Sequence, residues 1–133
     1  MWMRIIFALW LAAPWLGTWK LSKPDARYKR VITRIEPWAD GIRVRYDMVG
    51  TRGGVTHMEW TGKFDGKDYP VEGVDYVLTN AYKLLDDHSY EIVIKVEGSV
   101  AATAHVEVSP DGKTLTTVTS QKNGTTTTVY DKQ

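Results

Sequence analysis

From Gly17 onward, short runs rich in Val, Ile, Thr and Tyr alternate with polar residues. Turn signals interrupt them at about the eight-to-twelve-residue spacing expected of a protein built from hairpins. The punctuation is Ala39-Asp40-Gly41, the glycines from Gly50 to Gly54, Asp65-Gly66, Asp86-Asp87-His88, Glu97-Gly98, Pro110-Asp111-Gly112 and Asn123-Gly124. Asp-Gly and Asn-Gly supply the positive φ angles that tight hairpins demand. Between these breaks the pattern predicts strands near 17–22, 29–37, 42–49, 55–64, 67–72, 75–85, 89–97, 99–108, 113–121 and 125–131. No part of this stretch carries a sustained helical period with caps. The fold class expected is therefore all-β, an up-and-down antiparallel β-barrel of about 8–10 strands, because closure removes the edges such a meander would expose.

Side chains alternate across a strand, so the pattern also assigns an inner and an outer face. Ile42, Val44, Tyr46 and Met48 fall on one face, and Arg43, Arg45 and Asp47 on the other. Met58 and Trp60 oppose His57, Glu59 and Thr61, and Tyr90, Ile92, Ile94 and Val96 oppose Glu91 and Lys95. Val100, Ala102, Ala104, Val106 and Val108 oppose Thr103, His105 and Glu107. The inner set is apolar and aromatic, with alanines on one strand that would leave space opposite bulky neighbours. A barrel of this size holds either packed side chains or one small ligand. If it is hollow, the lining expected is Val44, Tyr46, Met58, Trp60, Leu78, Tyr82, Tyr90, Ile92, Ala102, Ala104 and Tyr130, with tyrosine hydroxyls as the polar anchors.

At 133 residues the chain suits one domain, which at this length buries roughly two-thirds of its unfolded surface. The absence of cysteine removes disulfides, thiol nucleophiles and zinc–thiolate sites. Formal net charge is +1, and Arg4 is the only charged residue up to Leu16, so the remainder carries 16 basic and 16 acidic residues. Such a balanced surface steers no polyanion, and no nucleic-acid partner is expected. The opening MWMRIIFALWLAAPWL is a separate apolar segment, 1–16, ahead of the barrel at 17–133. A basic residue, an apolar run and then Pro14 read as an export signal with Ala13 before the cut, although Leu11 stands where a second small residue belongs. The run is too short for a stable membrane span. If cleaved, the segment predicts a periplasmic or secreted protein, and otherwise a cytoplasmic one. If retained, the segment reads as an apolar helix packed on the domain, and Trp2, Phe7, Trp10 and Trp15 need an apolar surface to cover.

Gly17-Thr18-Trp19-Lys20-Leu21 at the start of the barrel and Val129-Tyr130-Asp131-Lys132 at its end resemble the lipocalins and fatty-acid-binding proteins, one superfamily of ligand-holding barrels. The middle, from His57 through Lys63-Phe64-Asp65-Gly66-Lys67-Asp68-Tyr69-Pro70-Val71, is most similar to small exported bacterial lipocalin-like proteins of unassigned function. The resemblance implies that Trp19 closes the barrel floor. The basic side chain that packs over it in the family has no clear match, the nearest candidate being Lys132. Fatty-acid-binding proteins clamp a carboxylate with Arg-x-Tyr on the last strand. Here Tyr130 matches the tyrosine, but Thr128 occupies the arginine position. Lys23 to Lys29 is also too short for their helical lid. These departures favour a neutral or weakly polar ligand over a carboxylate.

Three histidines are available for chemistry. His57-x-Glu59 and His105-x-Glu107 each put an imidazole and a carboxylate on one strand face, as a general base or two metal ligands would need. The alternation assigns both pairs to solvent, and His88 belongs to a polar turn, so no catalytic residue, metal site or cofactor is expected. No nucleophile elbow, phosphate loop or HExxH is present. Asn123-Gly124-Thr125 fits both a glycosylation sequon and a tight turn, and the turn is preferred. The expected activity is binding of a small hydrophobic molecule inside the barrel. The alternative is a small enzyme of isomerase or cyclase type acting on an apolar substrate in the same cavity, which requires an inward-facing titratable group. A third reading, self-association through the apolar segment, predicts a loss of association when 1–16 is removed.

Overall fold

The computed structural model describes residues 13–133. The apolar segment read as an export signal lies outside the described residues as far as position 12, so Trp2, Phe7 and Trp10 fall beyond them. The described chain is all β: β1 (Gly17–Leu21), β2 (Tyr28–Trp38), β3 (Gly41–Gly50), β4 (Val55–Gly62), β5 (Tyr69–Glu72), β6 (Leu78–Leu84), β7 (Ser89–Val96), β8 (Ser99–Val108), β9 (Thr114–Gln121) and β10 (Gly124–Lys132). Each strand pairs antiparallel with the next, and β10 returns to β1, so the sheet closes into a ten-strand barrel. No helix of the described residues is long and apolar enough to cross a membrane.

The turns follow from local chemistry. Glu97 and Gly98 both adopt positive φ, 51° and 82°, the geometry of a two-residue hairpin that matches strand twist. A glutamate tolerates that backbone here because it is tied across to the β5–β6 loop. Its amide donates to the Val77 carbonyl at 2.8 Å, and its carboxylate accepts from the Val77 amide at 3.1 Å. Residues 63–68 are a loop rather than the ends of two strands, because the Asp65 carboxylate captures the Lys67 amide and the Tyr69 hydroxyl. Such side-chain capture of local donors competes with a ladder. Asn123 sits in the β9–β10 turn.

The alternation holds along β3, β4 and most of β7 and β8. One expectation fails. Val100 is 60% exposed, not inward. Ile94 pairs with Ala102 but Lys95 pairs with Val100, so Ala101 is an extra residue, a bulge that reverses the face beyond it.

The two ends of the barrel differ. At one end Trp19 is fully buried and its indole N–H donates to the Trp15 carbonyl at 2.8 Å. Lys132 lies with its ammonium 4.7 Å from the Trp19 ring centroid and donates to the Leu16 carbonyl at 2.5 Å. Trp15 packs against Phe64 and Tyr90, with ring centroids 5.5 and 5.4 Å away. This floor is sealed. The opposite end is the mouth, rimmed by the loops at 22–27, 51–54, 73–77, 97–98 and 122–123.

Candidate functional site

The inner faces of the strands enclose two communicating chambers. The deeper one has a volume of ≈ 160 Å³, rests on Trp19 and is walled by Ile35, Val44, Ile92, Ala104, Val106 and Leu115. The outer one, ≈ 420 Å³, reaches the mouth between Leu21, Val31, Met48, Met58 and Leu78. Tyr46, Asn80, Ile94, Thr117, Thr119 and Tyr130 line both, and so form the neck where the chambers meet.

Of the residues expected to line a hollow barrel, Val44, Tyr82, Tyr90, Ile92 and Ala104 face the deeper chamber. Met58, Leu78 and Ala102 face the outer one, and Tyr46 and Tyr130 face both. Trp60 stands one layer back from these linings. It is fully buried, its ring stacked on Tyr82 at 4.0 Å, and its indole N–H is shared between the Tyr69 and Asn80 carbonyls at 3.1 Å each. It therefore holds the wall: Trp60, Tyr82 and Tyr90 form a continuous stack, with Phe64 edge-on to the two tyrosines. Offset and edge contacts of this kind stabilise aromatic clusters beyond simple burial.

The chemistry of the interior is neutral. No charged side chain lines the deeper chamber. Its polar groups are tyrosine and threonine hydroxyls and one amide. The Tyr46 and Tyr82 hydroxyls lie 3.3 Å apart. Burial pushes the Tyr46, Tyr82 and Tyr90 hydroxyls above the ordinary phenol range, and Tyr130 to about 12, so all four stay protonated at neutral pH. Asn80 was not among the expected residues. It is only 8% exposed, and its side-chain oxygen is buried without a hydrogen-bond partner. The signal that would have found it is its position between Leu78 and Tyr82, since alternation places all three on one face. The charges nearest the interior are Asp25 and Arg27 at the mouth, 3.7 Å apart.

Titratable clusters decorate the outside. Arg34 and His57 both contact the Asp47 carboxylate, Arg34 at 2.7 Å. The His57 side chain is 71% exposed. Arg43 and Arg45 share Glu36, and the Arg43 guanidinium lies 4.0 Å over the Trp38 ring. These cross-strand pairs neutralise Arg34, Arg43 and Arg45 on β2 and β3 and hold the Asp47 and Glu36 carboxyls below their usual range, chiefly through His57 and Arg43. His105 is also on the outer face, beside Glu107 at 3.6 Å. Among the described residues no three of His, Cys, Asp or Glu converge as a metal would require.

Set against known proteins, the chain matches no family model and no curated protein.

Proposed function

We propose that this protein is a lipocalin-like carrier that binds a small hydrophobic molecule inside its barrel. The observation that carries the reading is the pair of adjoining chambers, mostly apolar in wall, with no charged side chain on the deeper one and the Asp25–Arg27 pair at the mouth of the outer one. Apolar burial at about 25 cal/mol per Å² would supply the affinity, and the tyrosine hydroxyls the orientation. Kinship with the lipocalins draws its support from Trp19 at the floor with the Lys132 ammonium over its ring, the nearest candidate the sequence offered for the family's basic partner. Export fits the same reading, because a cut after Ala13 leaves the buried Trp15 in the mature chain. The enzyme alternative required an inward-facing titratable group, with His57 or His105 as the discriminator. Both imidazoles face outward. The inward-facing titratable groups are Tyr46, Tyr82, Tyr90 and Tyr130, held protonated at neutral pH by burial.

Native mass spectrometry of the purified protein, before and after gentle denaturation, tests the proposal. A mass excess that disappears on unfolding is expected. Ala104 lines the deeper chamber, so Ala104→Phe should fill that space and reduce the excess while the barrel stays folded. If repeated preparations give the bare mass, and hydrophobic probes also fail to bind, the cavity is not a binding site.

A further inference from the structure

The neck contains a hydrogen-bonding group that the protein does not satisfy. The Asn80 side-chain oxygen is buried and unpartnered, and Asn80 is among the residues that line both chambers. Leaving a buried acceptor unpaired costs about 1–3 kcal/mol, so such a group calls for an explanation. Its own backbone carbonyl is already committed to Trp60. Tyr82, two residues along β6 and on the same face, is paired with Tyr46, and of those two hydroxyls only one proton is used between them. Asn80 of the neck thus carries an acceptor without a partner, and the tyrosine pair beside it an idle donor.

Resting on the carrier reading above, we infer that the barrel selects an apolar molecule bearing a neutral hydroxyl, held at the neck by Asn80 and the Tyr46–Tyr82 pair. A hydroxyl donates to the amide oxygen and accepts from the phenol at once. A carboxylate cannot donate, finds no cation in the deeper chamber, and loses its hydration on entry. A pure hydrocarbon or an ether leaves the Asn80 acceptor orphaned. Sites built around a buried polar group discriminate against partners that fail to pair it.

The experiment compares 1-decanol, its methyl ether and decanoate as competitors against a fluorescent hydrophobic probe bound to the full chain. The alcohol should bind about tenfold tighter than either, equivalent to about 1.4 kcal/mol. In Asn80→Leu, which keeps the volume and removes the amide, the alcohol–ether gap should shrink to within about threefold, and Tyr46→Phe should narrow it in part. The comparison on the unaltered protein stands even if Asn80→Leu is poorly folded. Equal binding of all three ligands overturns the selection for a hydroxyl and leaves the carrier reading intact. A gap that persists in folded Asn80→Leu overturns the role of the neck. Binding of none of the three overturns the inference, and the carrier reading falls with it only if native spectra also show the bare mass.

Discussion

Four tyrosines meet in the interior of a barrel with no buried counter-charge, and that sets how single residues respond to alkali. Each phenol is held neutral by burial, its folded pKa raised above the ordinary value of 10.0. A raised folded pKa adds stability that is complete below the unfolded value and lost as pH climbs through the folded one. The barrel should therefore hold constant stability from neutrality to about pH 9 and weaken from about pH 10 upward. Tyr130, whose pKa is pushed to about 12, belongs to this group, so Tyr130→Phe should lessen the alkaline loss. Phenolate absorbance followed beside circular dichroism checks this: the buried tyrosines should ionise together with unfolding. Ionisation of all of them in a still-folded barrel would contradict it. The inward direction of Tyr46 and Tyr90 was legible from alternation alone. Asn80 was not picked out, because a lone polar residue in a strand reads as solvent-facing unless its apolar neighbours at i−2 and i+2 are weighed.

Strands were the most legible level, since turn chemistry and β-branched runs both marked the ten of them. The failures sit where a local event overrides period two. Ala101 carries no signal of a bulge, being a small residue among small residues, yet it turns Val100 outward while Val106 stays inward. Val100→Thr should then change stability by less than about 0.5 kcal/mol, whereas Val106→Thr, which buries a hydroxyl, should cost about 1–3 kcal/mol. Urea midpoints of the two variants provide the check, and equal losses would mean that the face does not reverse at Ala101. On β9, Thr116, Thr117, Val118 and Thr119 read alike on both faces, so sequence could not assign Thr117 and Thr119 to the neck. Phe64 was hidden for another reason, since it reaches the core from a loop where no periodicity applies. Trp15, by contrast, was expected to need an apolar surface to cover, and it finds one from the segment ahead of β1.

On the scale of the molecule, the barrel is sealed at one end by residues at both extremes of the described chain. Trp15 packs against Phe64 and Tyr90 and offers its carbonyl to Trp19, so Trp15→Ala should cost about 3–5 kcal/mol. Thermal or urea unfolding measures it, and a loss below about 1 kcal/mol would show that the floor closes without the residues before Gly17. The arrangement also has a practical consequence. The Lys132 ammonium reaches the Leu16 carbonyl, and the Gln133 amide donates to the Thr18 carbonyl at 2.9 Å. Head and tail of the barrel therefore emerge side by side, on the face opposite the entrance. A tether, fusion partner or solid support attached after Gln133 leaves the entrance pointing away and unobstructed. Joining Gln133 to Ala13 by a short linker, without residues 1–12, and reopening the chain at an exposed loop would give a circular permutant with the same interior.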